Sequence, residues 1–465
     1  MAQMKDPLQI SAVTNPDAIA VVNGAELISY QALNQSVDRC AASLLRQGIK
    51  QTEHIGYLGT NSLEAITLLF ACIRIGALFC PLSTRFPQTQ ISELLDQLDI
   101  VALYESKPGR FDVPSIQRWS KETEEFQPKP LESGQPSTLI LTSGSSGFPK
   151  AAVHSLGNHI ASAQGSADQI PLKPGDAWLA SLPFFHIGGI AIVIRCLLAG
   201  ATVVLPSHKS LIDNLASHPI THLSLVNAQL QQLLQEPQGC RYVARLHCLL
   251  LGGGAITESL QSQLNQLNVP AFCSYGLTEM ASQVTTGRVN TQGVCGHLLA
   301  NRELRINEGI IEVRGATCFL GYYQQGTINQ PFDQDGWFNT KDIGQWVNGQ
   351  LKVSGRSDNM FISGGENVQP EEIEAALKQH ANVSDAVVIA IDDPKFSKLP
   401  VAIIKTVTND FDQDELTDFI CQRIARFKRP RHYFSWSETI ENELKISRKR
   451  ALEYVMSQMG HSEDR

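Results

Sequence analysis

Four short apolar runs, each walled by glycine, proline or polar residues, set the fold class of this chain: STLILT at 137–142, ATVVLP at 201–206, THLSLV at 221–226 and LHCLLLG at 246–252. Runs so short and so uniformly apolar read as strands buried on both faces, as in parallel sheets. Helical patterns lie between them, and that alternation is α/β. From Ala41 to Ile75 the pattern is amphipathic or buried helix, with SLEAITLLFACIRIGA too long for a strand. The stretch ELRINEGIIEVRG (303–315) alternates instead, which predicts a hairpin turning at Asn307–Gly309 and a β-rich unit closing the larger part. After Gly355 the texture changes again, to a Gly-rich loop at 363–367, a capped helix from Pro370 through His380 and a strand at 386–391. At 465 residues the chain is too long for one ordinary core. The expected division is a domain at 1–355 and a smaller one at 356–465.

Composition narrows the partners. With 38 Lys+Arg against 46 Asp+Glu, a net charge of -8 and no basic stripe, nucleic acid is not an expected partner. The two most apolar stretches, Leu68–Leu82 and Ile190–Leu205, fall short of a membrane span and carry Arg74 and Arg195 in mid-run, so no membrane insertion is expected. The amino terminus has no secretory pattern, and the ten cysteines form no C-x-x-C pair. Free thiols in a cytoplasmic protein are the reading. The oligomeric state stays open, a homo-oligomer included.

Three motifs carry chemistry. Leu141-Thr-Ser-Gly-Ser-Ser-Gly-Phe-Pro-Lys150 follows an apolar strand directly. Its hydroxyls and backbone N–H groups can wrap an anion, and Lys150 adds a point charge. It is neither a Walker A loop nor a nucleophile elbow, because the glycine, lysine and serine spacings differ. In LLLGGGAI (249–256) a buried strand empties into three glycines, which lets a flat ligand approach the backbone. In Ser274-Tyr-Gly-Leu-Thr-Glu-Met280 a ring, a hydroxyl and a carboxylate fall within five residues, suited to a base, a phosphate and a divalent cation.

In this order and spacing the motifs resemble those of the adenylate-forming enzymes, the family of acyl-CoA synthetases, peptide-synthetase adenylation domains and luciferases. The resemblance extends over nearly the whole chain, through Pro183-Phe-Phe-His-Ile-Gly-Gly189, Asp335-Gly-Trp-Phe-Asn-Thr-Lys-Asp342, Gly355-Arg-Ser-Asp-Asn-Met360, Ser363-Gly-Gly-Glu-Asn367 and Lys445-Ile-Ser-Arg448. It implies a large amino-terminal domain of several subdomains, with helix-flanked sheets, and a small mobile α+β domain acting as a lid. It also implies ATP, Mg2+ and CoA as the small molecules bound.

By the same resemblance, Thr142, Ser143, Gly144, Ser145, Ser146, Gly147 and Lys150 would hold the β- and γ-phosphates of ATP. Gly252, Gly253, Gly254 and Ala255 would line the adenine edge, with Tyr275 and Gly276 at the base. Thr278 would bond the α-phosphate, Glu279 would help hold Mg2+, and Asp342 and Arg356 would reach the ribose. His186 would stand between acyl pocket and thiol tunnel. Asp358 would be the hinge, Gly364 and Gly365 the pantetheine tunnel wall, and Lys445 the catalytic bridge between carboxylate and α-phosphate. Two positions depart from the family pattern. Leu444 precedes Lys445 where glycine is usual, leaving Lys449 a lesser candidate for its role, and Lys341 stands where glycine is common. The basic run 426–431 reads as a solvated face or domain contact, with the 3'-phosphate of CoA as the other reading.

Within the family, KAAVH (150–154), ASAQG (161–165), SLVNAQLQQLL (224–234) and YGLTEMASQV (275–284) resemble the branch whose acid is 2-succinylbenzoate, in menaquinone and phylloquinone synthesis. That acid has two carboxylates. Ser282, Gln283 and Thr285 are the candidates for holding the one that is not activated, and no arginine can be named as its counter-charge. The alternatives are another aryl or short acyl acid and, in a different class, a nucleotide-binding regulator without catalysis.

Overall fold

The four apolar runs are strands, Pro136–Thr142, Thr202–Leu205, His222–Val226 and Cys248–Gly252. The computed structural model describes residues 3–4, 6–106, 108–119, 126, 130–142, 149–208, 210–252, 256, 258–363, 366–393, 396–408, 411–436 and 447–460. Three of the four strands lie in a nine-stranded sheet, together with Ala177–Leu179, Ile19–Asn23 and Ala271–Leu277, all in parallel pairings. The chain then doubles back, and Ser282–Arg288 runs antiparallel to Ala271–Leu277. The fourth run, Pro136–Thr142, belongs to a seven-stranded sheet with Leu78–Leu82, His54–Leu58 and Ile100–Glu105 on one side and Lys150–Ser155 and Gly321–Gln324 on the other. The architecture is mixed α/β, with several sheets in a large amino-terminal part and a small carboxy-terminal unit.

One core joins the two large sheets through the helices Tyr30–Arg46, Leu63–Ile75, Leu156–Ala167 and Ile187–Ala199. Leu63–Ile75 shows why they form. Ser62 accepts the Ala65 amide at its start, and Gly76, at φ 78°, takes the left-handed cap at its end. Every residue from Ala65 to Ile75 is buried, as a helix apolar all round must be. Its Arg74 is tolerable there because Asp6 (2.7 Å) and Asp38 (2.6 Å) neutralise it.

Two sequence expectations need correction. The helical reading of 41–75 is interrupted by a buried strand, His54–Leu58; the first helix stops at Arg46, and Gly48 at φ 86° turns the chain. Five buried residues are too few to show a period of their own. The helix expected through His380 ends at Leu377. The hairpin is as expected: Asn307 pairs with Ile310, and Glu308 (φ 49°) and Gly309 (φ 81°) both sit in the left-handed region, as a two-residue type I′ turn requires. It opens a four-stranded sheet that ends with Gln350–Arg356.

Beyond residue 360 a two-stranded and a three-stranded sheet pack with Pro370–Leu377, Gln413–Cys421 and Arg448–Gly460. Among the described residues, their apolar clusters contain none before Phe361, and those of the larger part none after Val353. Within this unit Lys428 pairs with Glu372 (2.6 Å) and Arg429 donates to the Cys421 carbonyl (2.9 Å), so two members of the basic run are spent on internal contacts. All ten cysteines are free thiols. Among the described residues, no helix is long and apolar enough to cross a membrane.

Candidate active site

The loop between Thr142 and Lys150 is closed at its feet by their cross-strand pairing. Ser143, Gly144, Ser145, Ser146 and Gly147 lie outside the described residues, as do Gly253, Gly254, Ala255, Gly364, Gly365 and Lys445. Gly252 ends its strand, and a Cβ there would meet no atom of the described residues within 4 Å. Packing against the described residues therefore does not demand glycine at that position. At Gly276 the demand is internal, since a Cβ would come within 2.2 Å of the Ser282 carbonyl oxygen.

The structure brings together Lys150, Tyr275, Thr278, Glu279, Asp342, Arg356 and Asp358. The Tyr275 hydroxyl donates to Asp342 Oδ2 at 2.6 Å, and Asp342 pairs across two strands with Arg356, whose Nη1 lies 3.3 Å from Oδ1. Arg356 also donates to both Asp358 carboxylate oxygens, at 2.8 and 2.9 Å, which holds the Asp358 carboxyl below its usual range. Buried Glu279 accepts from the Tyr322 hydroxyl at 2.6 Å. Its charge acts on Tyr275, Tyr322 and Arg356 alike, so these groups share one place. Tyr275 and Tyr322 are both held protonated, first by burial and then by neighbouring carboxylates. His186 stands apart at the start of Ile187–Ala199 with its ring on Phe185, and burial and Arg85 lower its pKa.

The backbone at Lys341 shows why the sequence reading expects glycine there. It sits at φ 61°, a conformation glycine takes without strain, and its carbonyl accepts from the Ser357 amide and hydroxyl.

Buried His154 was not singled out in the sequence, yet its Nε2 lies 2.7 Å from the Thr278 carbonyl oxygen. A carbonyl only accepts, so Nε2 carries the proton and fixes the backbone beside Glu279. Burial lowers its pKa to about 4, although the bond to Thr278 opposes this. In the unfolded chain a histidine takes up its proton near 6.5. The unfolded state therefore binds more protons between pH 6.5 and 4, and stability is lost as pH falls through that window, by on the order of 3 kcal/mol. The urea midpoint should fall less between pH 7 and 5 in His154→Gln than in the parent. Equal slopes would contradict this.

The second feature outside the sequence reading is a pair of buried arginines. Arg195, from the middle of the apolar helix, donates to Gln283 Oε1 at 2.6 Å and approaches Ser282 Oγ at 3.4 Å, its guanidinium 5.6 Å from the Trp178 ring. Arg302 donates to the carbonyls of Gln283 (2.6 Å), Ala300 (2.6 Å) and Ser162 (3.1 Å). Ser162 in turn donates to the Ala281 carbonyl at 2.7 Å. These bonds hold Ala281 (φ 50°) and Ser282 (φ 117°), two non-glycine residues in a strained region directly after the Glu279 motif. Thr285 is turned elsewhere, its hydroxyl donating to the Cys295 carbonyl at 2.8 Å. Burial lowers Arg195 to about 10 and Arg302 to about 9, so both remain charged at neutral pH. Among the described residues neither has a carboxylate partner, unlike Arg74.

Arg302 also explains Gly165. A Cβ there would lie 2.1 Å from Arg302 Nη1 and 2.3 Å from the Ala300 carbonyl oxygen. Gly165→Ala gains about 1 kcal/mol of helix propensity but forces an overlap costing about 1–3 kcal/mol or more, and a backbone carbonyl yields little. We expect a net loss of about 1–2 kcal/mol in urea unfolding. An unchanged or raised midpoint would show that the arginine can move aside.

Comparison with known proteins identifies the family. The family model described as AMP-binding enzyme matches residues 8–323, and that of the AMP-binding enzyme C-terminal domain matches 372–441. The chain belongs to the AMP-binding enzymes. Its relatives within that family include the 2-succinylbenzoate–CoA ligase of Salmonella typhimurium, 34% identical, with 92% of this chain and 93% of that one covered. The ligase of the same description from Escherichia coli is 33% identical, with 95% and 96% covered. Among solved structures, an E. coli MenE variant with bound OSB-AMS superposes with a TM-score of 0.88 at 31% identity, covering 98% of this chain and 100% of that one. The o-succinylbenzoate CoA synthetase of Bacillus subtilis in complex with ATP and a magnesium ion gives 0.84 at 28% identity, covering 94% and 96%.

Proposed function

We propose that this enzyme joins 2-succinylbenzoate to CoA at the expense of ATP, by way of an acyl adenylate. The observation that carries the choice of acid is the buried arginine pair beside Ser282 and Gln283. Two guanidiniums in the interior without a carboxylate cost several kcal/mol each in lost hydration. An acid with a second carboxylate supplies the missing anion, whereas benzoate or acetate does not.

In the first half-reaction a carboxylate oxygen attacks the α-phosphorus of ATP, the bond to the β-phosphate breaks, and pyrophosphate leaves. Both partners are anions, so the site must align them and offset their repulsion. Thr142, the loop after it and Lys150 hold the β- and γ-phosphates. Thr278 meets the α-phosphate, its backbone fixed by His154. Tyr275 and Gly252 face the base, and Asp342 accepts from the ribose hydroxyls with Arg356 beside it. Lys445 bridges the carboxylate and the α-phosphate.

The donor set fits a magnesium ion. Glu279 is a buried carboxylate met by a neutral hydroxyl, and no cluster of three or more metal-binding side chains occurs among the described residues. Mg2+ characteristically takes one or two carboxylates and completes its shell with phosphate and water. Bound at Glu279, it would supply charge neutralisation on the phosphates.

In the second half-reaction the CoA thiol attacks the acyl carbonyl, the bond to the phosphate oxygen breaks, and AMP leaves. We assign the exchange of groups between the steps to rotation of residues 356–465 against 1–355 about Asp358, with His186, Gly364 and Gly365 along the thiol path. The carboxyl of Asp358 is also what Arg356 grips, so the hinge and a ribose contact are one ion pair. The test is pyrophosphate exchange into ATP driven by 2-succinylbenzoate. Exchange supported by benzoate or acetate, and not by 2-succinylbenzoate, would move the enzyme to another acid.

A further inference from the structure

We infer that Tyr322 is a positioning residue of the adenylation site, keeping the phosphate-binding lysine and the metal-binding carboxylate apart and separately available. The inference rests on the roles proposed above for Lys150 and Glu279. Tyr322 lies on Gly321–Gln324, opposite Ala152 in an antiparallel pairing with Lys150–Ser155. Side chains two apart on a strand share a face, so Lys150 and Tyr322 are diagonal neighbours. Lys150 Nζ lies 4.9 Å from the centre of the Tyr322 ring. The hydroxyl at the other end of that ring donates to Glu279 Oε1 at 2.6 Å. One side chain thus engages a cation with its face and an anion with its tip.

The arrangement answers a difficulty of any site that must hold both ATP and a metal. A lysine and a glutamate at close quarters in a partly buried cleft attract each other strongly, and an ion pair between them would withdraw both from the ligand. Among the described residues, no ion pair joins Lys150 to Glu279 or engages either one. The tyrosine gives each a partner without a net charge that a phosphate or a magnesium ion can outcompete, a cation–π contact for the lysine and a hydroxyl donor for the glutamate. The placement is held from outside as well, since the Phe319 amide donates to the Glu279 carbonyl at 2.8 Å and the Phe319 ring packs edge-on against Tyr322.

The test is calorimetric binding of ATP, once in EDTA and once in saturating Mg2+, to the parent, Tyr322→Phe, Tyr322→Leu and Glu279→Gln. In Tyr322→Phe the ring stays and the hydroxyl goes. The gain in ATP affinity produced by Mg2+ should fall about tenfold, while binding in EDTA stays within about twofold. In Tyr322→Leu binding in EDTA should weaken as well, by about threefold, because the lysine loses its ring. Adding Tyr322→Phe to Glu279→Gln should cost nothing further. An unchanged Mg2+ gain in Tyr322→Phe, or equal losses with and without Mg2+, would overturn the inference and leave a packing role. If Glu279→Gln keeps the full Mg2+ gain, the metal assignment falls and this inference with it. If only Tyr322→Phe keeps it, the metal assignment stands and the role of Tyr322 alone is lost.

Discussion

Lys445→Ala is expected to slow pyrophosphate release by about 10²–10³-fold while leaving thioester formation from supplied acyl adenylate within about threefold of the parent. The asymmetry follows from charge. Adenylation brings a carboxylate against a phosphate, and a preorganised ammonium between them is worth most as the new bond forms. Thiolysis of the adenylate ends with AMP as leaving group and lacks that anion-on-anion approach. Lys449 serves as the internal comparison. It is exposed on Arg448–Gly460, a helix whose first residue is tied to Glu371 (2.8 Å) and Glu374 (2.6 Å). Lys449→Ala should therefore stay within about twofold in both half-reactions. A reversal of the two variants would move the catalytic role to Lys449, and equal loss of both half-reactions in Lys445→Ala would remove the bridging role.

Arg195→Met should lower kcat/KM for 2-succinylbenzoate by about a hundredfold or more, with ATP affinity unchanged within about twofold. Removing one of the two cations leaves the second carboxylate with only Arg302 as its counter-charge and without the direct partner, a loss of about 2–5 kcal/mol. The effect on folding should be much smaller. Methionine is close to the arginine stem in volume and relieves the desolvation of a buried guanidinium, while the Gln283 oxygen loses a donor at a cost of about 1–3 kcal/mol. These terms oppose, and unliganded stability should stay within about 2 kcal/mol of the parent. If activity and stability fall together, Arg195 is a structural residue. If activity with 2-succinylbenzoate survives, the second carboxylate is held elsewhere.

How far the sequence could be read depended on whether a feature was local. The four buried strands and the type I′ hairpin are local, because their side chains and bounding residues lie within a few positions of one another. So is the Tyr275–Glu279 motif. The strand His54–Leu58 was missed because five buried residues between two helices carry no period that sets them apart. In the sequence Arg195 is a charge inside an apolar stretch, and locally it argues only against a membrane span. Nothing local shows its side chain reaching Ser282 and Gln283, 87 and 88 positions away. His154 and Tyr322 were hidden for the same reason, since their bonds to Thr278 and Glu279 cross 124 and 43 positions. A polar residue in an apolar run is the signal to pursue, because burial obliges it to find a partner. Lys341 shows the converse: the sequence flags an unusual residue type, and only the backbone, at φ 61°, gives the reason glycine is common there.

In this reading the site activates one carboxylate while a buried positive pair, Arg195 and Arg302, holds another. This is tested most directly by incubating the enzyme with ATP, Mg2+, CoA and either 2-succinylbenzoate or its analogues lacking one carboxylate in turn, and measuring the CoA thioester by mass. A thioester is expected from 2-succinylbenzoate and at least about a hundredfold less from each monocarboxylate at equal concentration. Comparable thioester from a monocarboxylate analogue would contradict it.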